Sequence, residues 1–174
     1  MGKIHVLSSE VSNKIAAGEV VERPSSVIKE LVENSIDAGA TLISVEIKKG
    51  GSIYMRVSDN GSGMSEEDAK ICFLRHATSK VQTSSDLDAI YTLGFRGEAL
   101  SSIGAVAEVE LFTKRHEDET GVCVTCKGGE ILSSDEAGIP DGTSILVENL
   151  FFNTPARRKS VSYTHLTLPT TERV

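Results

Sequence analysis

Glu30 and Asn34 stand four residues apart in ELVENSIDAGA (30–40), a stretch that reads as a helix stopping at Gly39. Residues at i, i+3, i+4 and i+8 share a helix face, so both polar side chains fall beside Val27, Leu31 and Ala38. A carboxylate there can act as a general base toward a water. A carboxamide oxygen suits a hard cation such as Mg²⁺. Polar groups on an apolar face need partners, but these residue types are ordinarily exposed. Taken alone, the pair is better explained as the solvated edge of a helix.

Two more stretches carry possible chemistry. DNGSGM (59–64) follows a strand. Asp59 can accept a hydrogen bond from an exocyclic amine such as that of adenine, and the glycines let backbone and ligand approach closely. Asp-Asn-Gly is also a common turn, and the segment alone supports both readings equally. GFRGEAL (94–100) places glycines before a helix start. Free N–H groups and the positive end of the helix dipole would face an anion there, a phosphate cradle without a lysine. RHATSK (75–80) supplies hydroxyls and cations upstream. The plain alternative is a helix start after a loop, which leaves Phe95 and Arg96 inside a glycine turn unexplained. His76 reads as a structural or hinge residue, because no Ser or Cys nucleophile is marked beside it. His5, His116 and His165 have no catalytic context.

The elements that must position these residues follow from periodicity and caps. Ser12 or Asn13 caps a first helix through Val21, and Ser25 or Ser26 caps a second over 27–37. Residues 41–48 alternate, Gly50-Gly51 turns the chain, and Ile53, Met55 and Val57 alternate again. That predicts a hairpin with one buried face. Ser65 and Asp68 resemble a capping box opening a helix to about His76. Residues 77–95 have no strong period, as expected of a functional loop or lid. A helix over 97–106 and strands over 108–114, 121–127, 130–133 and 143–148 complete the reading. Helices first, then strands joined by short turns, predict an α/β (α+β) domain. It is a two-layer sandwich with a mixed, mostly antiparallel sheet and helices on one face. Neither GxxxxGK[ST] nor GxGxxG occurs.

Composition sets the bounds. The 174 residues suffice for one domain with a real core. Net charge is −7, so the chain as a whole is not a nucleic-acid surface, although Arg157-Arg158-Lys159 is a local basic candidate. No run of 18 apolar residues would span a membrane, and the first residues lack the apolar core of a signal peptide. Three cysteines, an odd number, argue for a reducing compartment over a disulfide framework. Cys123 and Cys126 form a C-x-x-C on a strand. Residues three apart on a strand face opposite sides, which makes a zinc chelate awkward.

Set in order, IAAGEVVERP (15–24), KELVENSIDAGA (29–40), DNGSG (59–63), RHATSK (75–80), GFRGEAL (94–100) and NTPARR (153–158) resemble a known set. They look like the Bergerat-fold (GHKL) ATPases shared by gyrase B subunits, heat-shock chaperone ATPases, sensor histidine kinases and MutL proteins. Within that group the resemblance is to the MutL DNA mismatch-repair family, and it runs from residue 1 to Lys159. It implies ATP and Mg²⁺ as cofactors. Glu30 would be the general base, and Asn34 would hold Mg²⁺, with Ala38 beside them on the nucleotide wall. Asp59 would read the adenine amino group, with Gly63 and Met64 near the base and Thr143 supporting them. Thr78, Ser79 and Lys80, with Gly94, Phe95, Arg96, Gly97, Glu98, Ala99 and Leu100, would form a lid over the triphosphate. The resemblance further implies a homodimer formed on ATP binding through the N-terminal arm, and ATP as a switch reset by slow hydrolysis. It also implies a MutS-like mismatch-recognition partner and DNA for the full-length protein, and a bacterial cytoplasmic location without membrane contact.

The alternative is a non-hydrolysing, nucleotide-dependent interaction module or an inactive fragment. A histidine-kinase ATP-binding domain is disfavoured by IAAGEVVERP and by the lack of a phospho-acceptor helix. Residues 160–174 depart from the family pattern: they are Thr-rich, contain Pro169 and lack a helical period. The expectation is an ATPase domain over 1–159, incomplete at its C-terminal end, followed by a non-native or poorly ordered tail. The lysine that family members bring from a second domain to the γ-phosphate has no counterpart to carry over.

Overall fold

The apolar alternation of the strands decides the architecture. A computed structural model describes residues 4–75 and 98–165. In chain order the elements are α1 (Ser9–Val20), α2 (Pro24–Asp37), β1 (Ile43–Lys48), β2 (Tyr54–Asp59), α3 (Glu66–Ile71) and α4 (Ala99–Val106). There follow β3 (Glu108–Lys114), β4 (Gly121–Lys127), β5 (Glu130–Ala137), β6 (Gly142–Glu148) and α5 (Pro155–His165). The strands form one sheet in the order β1-β2-β6-β3-β4-β5. The expected mixed sheet is sharpened: every described pairing is antiparallel.

Register places the core on one face. Val45, Val57, Ile145, Leu111 and Val124 run side by side across the sheet. Ile47, Met55, Val147, Val109 and Cys126 form the next row. Each fully buried aliphatic side chain contributes about 1.5–3 kcal/mol, so these rows dominate the stability. Helix α2 packs on β1 and β2, α4 packs on β3 and β4, and α1 lies against α4. The opposite face is polar: Ser58 and Ser144 share a 2.8 Å hydrogen bond, and Arg56 Nε donates to Ser144 Oγ at 2.9 Å.

Several boundaries differ from the sequence reading for identifiable reasons. Helix α1 is capped by Ser8, whose Oγ accepts from the Val11 N–H, and not by Ser12 or Asn13, which lie inside the helix. Helix α2 starts at Pro24 after an extended Arg23, with no side-chain cap from Ser25 or Ser26. Proline suits the first helical position because that N–H would be unbonded anyway. Ser65 caps α3, its Oγ accepting from the Asp68 N–H at 3.1 Å and donating to Asp68 Oδ2 at 2.8 Å, but α3 ends at Ile71. Strand β5 runs on to Ala137. Helix α5 continues to His165 and buries Val161, so residues 160–165 are helical where the composition suggested no helical period.

Cys123 and Cys126 face opposite sides of β4: Cys126 is paired with Val109 in the buried row, and Cys123 with Phe112 on the other face. Burial pushes the Cys126 thiol up to about 11 and raises Cys123 as well, which disfavours the thiolate a metal would need.

Chain segments far apart in sequence are stapled around α4. Phe151 N–H donates to Val106 O at 2.7 Å, Gly129 N–H to Gly104 O at 2.9 Å, and Asn153 Nδ2 to Ala105 O at 2.9 Å. Phe151 holds φ at 63° while fully buried, a strained backbone for a bulky residue. Arg157 donates from Nη1 to Gly18 O at 3.0 Å and Val21 O at 2.8 Å. It thereby satisfies carbonyls at the end of α1 that have no helical partner. A Cβ at Gly18 would sit 3.0 Å from that guanidinium. The basic-patch reading is therefore corrected at Arg157, which joins NTPARR to IAAGEVVERP, whereas Arg158 and Lys159 are exposed.

Replacing Arg157 by Met keeps the alkyl stem and removes the donors. Denaturant titration should show a loss of about 1.5–3 kcal/mol, as for hydrogen bonds to a charged group. Arg158→Met, at an exposed position, should stay within about 0.5 kcal/mol of the parent.

Candidate functional site

A third register row breaks the apolar pattern of the core face. It runs Ile43, Asp59, Thr143, Thr113, Val122. Asp59 ends β2 on the side that α2 covers. Its Oδ2 accepts from Ser35 Oγ at 2.6 Å, and its Oδ1 accepts from the Gly61 N–H at 2.8 Å. Ser35 is buried on α2 and also lies 3.1 Å from Leu31 O. The carboxylate thus ties the helix, the strand end and the following loop together.

That loop is fastened at each step. Asn60 Oδ1 accepts from the N–H groups of Thr41 and Leu42, both at 2.9 Å, and its Nδ2 donates to Thr41 Oγ1 at 2.9 Å. Ser62 N–H donates to Ala38 O at 2.9 Å. A Cβ at Gly61 would fall 2.8 Å from Ala38 Cβ. Gly63 has φ of 67°, and a Cβ there would run into the Lys114 carbonyl. Here glycine is required by close approach as well as by a left-handed backbone.

The helix side of the site differs slightly from the sequence reading. Val27, Leu31 and Ser35 form the buried stripe of α2. Glu30, Asn34 and Ala38 form the adjoining stripe, half-buried, and Ala38 meets the DNGSG loop. Glu30 and Asn34 therefore flank the core face, two turns and one turn respectively before the Ala38 contact with the loop.

On the sheet side, Thr113 is fully buried and joins three pieces of chain. Its Oγ1 accepts from the Met64 N–H at 2.9 Å, donates to Gly142 O at 3.2 Å, and lies 2.9 Å from Thr143 Oγ1. Met64 and Thr143 are both half-buried beside it. At the rim, Asp141 accepts from Lys114 Nζ and bonds His116 Nδ1 at 2.8 Å. The Lys114 and His116 bonds hold the Asp141 carboxyl below the usual carboxylate range.

Of the GFRGEAL stretch, Glu98, Ala99 and Leu100 are described. Glu98 precedes α4, and its carboxylate lies 3.5 Å from Arg75, which also donates to Asn13 Oδ1 on α1 at 3.2 Å. Leu100 packs against the core. His76, Thr78, Ser79, Lys80, Gly94, Phe95, Arg96 and Gly97 lie outside the described residues.

Ser35, Thr113 and Gly142 belong to the site and are missed by the sequence reading. A signal exists for Thr113, since it is the third inward position of the Val109, Leu111, Thr113 alternation. Ser35 sits four residues after Leu31 and one after Asn34, so its inward position follows once the buried stripe is fixed. Gly142 has φ of 115° and abuts the Asp59 carbonyl, which no short motif announces.

Comparison with known proteins agrees with this geometry. The profile of the family "Histidine kinase-, DNA gyrase B-, and HSP90-like ATPase" matches residues 22–156. The chain belongs to this ATPase family. Within it the sequence is similar to MutL proteins. It is 56% identical over 159 residues to the DNA mismatch repair protein MutL of Acidobacterium capsulatum, covering 91% of this chain and 24% of that protein. It is 57% identical over 159 residues to MutL of Caldanaerobacter subterraneus, covering 91% of this chain and 27% of that protein. The chain thus spans about a quarter of the length of these curated relatives. Among solved structures, the N-terminal domain of a DNA repair protein superposes with a TM-score of 0.73 at 35% identity, over 89% of this chain and 44% of that one. The MutL ATPase domain of Aquifex aeolicus complexed with ADP superposes with a TM-score of 0.61 at 34% identity, over 85% of this chain and 52% of that one. The GHKL ATPase fold expected from the motifs is the fold observed.

Two glycines separate backbone strain from collision. Gly39 has φ of 73° with nothing within 4 Å of a built Cβ. Gly39→Ala should cost about 1–2 kcal/mol, from the left-handed backbone alone. Gly63→Ala adds the Lys114 backbone collision, and thermal or denaturant unfolding should show a distinctly larger loss than for Gly39→Ala.

Proposed function

We propose that this chain binds ATP with Mg²⁺ and hydrolyses it as the N-terminal ATPase domain of a MutL-type mismatch-repair protein. The observation that carries this reading is the locked Asp59: a carboxylate on the core face, fixed by Ser35 and the Gly61 N–H, within the scaffold of an ATPase family. An ionised carboxylate is acceptor-only and suits an exocyclic amino group. Glycine at 61 and 63 lets the loop pack directly on Ala38 and on the Lys114 backbone, which fixes the loop that follows Asp59.

The donor set also fits the cation. Among the described residues no group of three or more His, Cys, Asp or Glu could hold a metal ion. A cation at the Asn34 carboxamide oxygen would therefore complete its shell with phosphate oxygens and water, as Mg²⁺ commonly does. Bound Mg²⁺ would draw charge from the phosphates and orient them. Asn34 would present its carboxamide oxygen to the cation. Glu30, one turn away, accepts at its carboxylate the proton of the water that attacks the terminal phosphate. Ala38 and the DNGSG loop hold the base at the other end of the site. Thr78, Ser79, Lys80 and residues 94–100 would cover the triphosphate.

In this reading ATP acts as a conformational and dimerisation switch, with an N-terminal arm contributing to a homodimer. The intact protein would work with a MutS-like mismatch-recognition protein and with DNA in the bacterial cytoplasm. The family domain would occupy residues 1–159, with 160–174 outside it.

Mg²⁺-dependent phosphate release should be measured for this chain and for Glu30→Ala. Loss of a general base lowers turnover by about 10²–10⁴, and ATP affinity should change little. Equal turnover in the two proteins would remove Glu30 from its role. ATP binding without turnover in the parent chain would favour a nucleotide-dependent interaction module instead.

A further inference from the structure

Asn60-Gly61 is the one Asn-Gly pair in the chain. Asparagine before glycine is chemically labile, because no Cβ shields the glycine nitrogen from the asparagine side chain. That nitrogen attacks Cγ of the asparagine. The Cγ–Nδ2 bond breaks, and ammonia leaves with the proton that the glycine nitrogen loses. The resulting five-membered succinimide then takes up water. Opening at Cγ gives aspartate. Opening at the main-chain carbonyl gives isoaspartate, with the chain continuing through the side chain. Asn60 is exposed, so water reaches it.

The fold engages the atoms that this reaction must move. The Gly61 N–H, whose proton has to leave, donates to Asp59 Oδ1 at 2.8 Å. A hydrogen bond to the protonated form favours that form. Asn60 Nδ2, the leaving group, donates to Thr41 Oγ1 at 2.9 Å. Ring closure breaks both bonds. The Thr41 and Leu42 amides on Asn60 Oδ1, both at 2.9 Å, would not slow the attack by themselves, since they polarise the carbonyl. They hold the side chain on the backbone before β1. The main chain is fixed as well: Asn60 N–H donates to Leu42 O at 3.3 Å and Ser62 N–H to Ala38 O at 2.9 Å. A Cβ at Gly61 would fall 2.8 Å from Ala38 Cβ, so its peptide has little room to turn. Closure of the ring therefore requires the loop to open. We propose that Asn60 is a spontaneous deamidation site that the closed loop after Asp59 protects, so that its conversion records openings of this loop. Isoaspartate inserts a main-chain carbon between residues 60 and 61 and removes the amide donor to Thr41. The loop cannot then return to its packing on Ala38. Under the proposed function, on which this consequence alone rests, conversion disables the nucleotide site irreversibly.

The whole chain is incubated at mildly alkaline pH, with and without guanidinium chloride, and then digested with trypsin. Cleavage after Arg56 and Lys70 releases residues 57–70, in which Asn60 carries the only side-chain amide. The mass gain of amide-to-acid conversion is read on that peptide. The folded parent should convert on the order of tenfold to a thousandfold more slowly than the unfolded chain, the range for opening the two bonds that closure breaks. Thr41→Val, at an exposed position, removes the acceptor of the leaving nitrogen. With its fold checked by circular dichroism, it should convert about twofold to tenfold faster than the folded parent. An unchanged rate in folded Thr41→Val removes Thr41 from the protection. Equal rates in the folded and unfolded parent overturn the protection whether or not the variant folds, and no conversion in the unfolded chain overturns the site. Aliquots of the folded parent are also titrated with ATP, and binding capacity should fall in step with conversion. Converted chain that keeps its ATP capacity overturns the consequence for the site. Failure of the fresh chain to bind ATP overturns the proposed function and leaves the deamidation site standing.

Discussion

Asp59 sits on the sheet face that the helices cover, in line with Thr143 and Thr113, and a carboxylate in that position has to be hydrogen-bonded. Leaving such a group unsatisfied costs about 1–3 kcal/mol, and more when it is charged. Its partners come from two directions: Ser35 approaches from α2 and the Gly61 amide from the loop. The hydrogen-bonded threonine pair continues the register row across β6 and β3. The requirement explains why α2 must carry a small hydroxyl residue in its buried stripe and why the loop must turn within two residues. It also explains why the loop packs so closely on Ala38 that Gly61 has no room for a side chain. The arrangement leaves the carboxylate fixed in direction, which is what recognition of one donor on a ligand demands.

The second constraint is the placement of α1. Its apolar content is modest, and its contribution to the core is Ala17. Val20 packs against that core, α1 lies along α4, and side-chain links add to this packing. Arg157 binds the carbonyls at its C-terminal end, and Arg75 reaches Asn13 along its length while lying near Glu98 at the start of α4. The α1 end leads within a few residues into Pro24 and hence into α2, which carries Glu30 and Asn34. A staple at residue 157 thus bears on the helix that lines the site, through Gly18, where a larger residue would press on the guanidinium.

Much of this was open to sequence reasoning, and the limits have physical causes. The strands of the second half are legible because Val109, Leu111, Ile145 and Val147 alternate strictly with polar residues. Asp59, Gly63 and Ala38 are legible because their motif occurs with its partners in order. Ser35 is harder: serine is common on exposed helix faces, and only the fixed register of Leu31 against β2 turns it inward. Arg157 reads as surface charge from sequence, because nothing local shows that the end of α1 lies beside it. Cap positions shift for a similar reason, since Ser8 and Ser12 are equally able to cap, and the packing of α1 decides between them. The role of Thr113 depends on hydrogen bonds that join β3, β6 and the loop after β2, which no local sequence pattern shows.

The central claim is that Asp59 is the recognition point of a purine nucleotide site built from α2, the DNGSG loop and the threonine row. Calorimetric titration of ATP into the parent chain and into Asp59→Asn tests it most directly. The amide keeps the shape of the carboxylate and replaces one of its acceptors with a donor. The account predicts saturable binding by the parent and a loss of affinity on the order of a hundredfold in Asp59→Asn, as expected when a charged hydrogen bond worth about 1.5–3 kcal/mol is removed. Equal ATP affinity in the two folded proteins would contradict it.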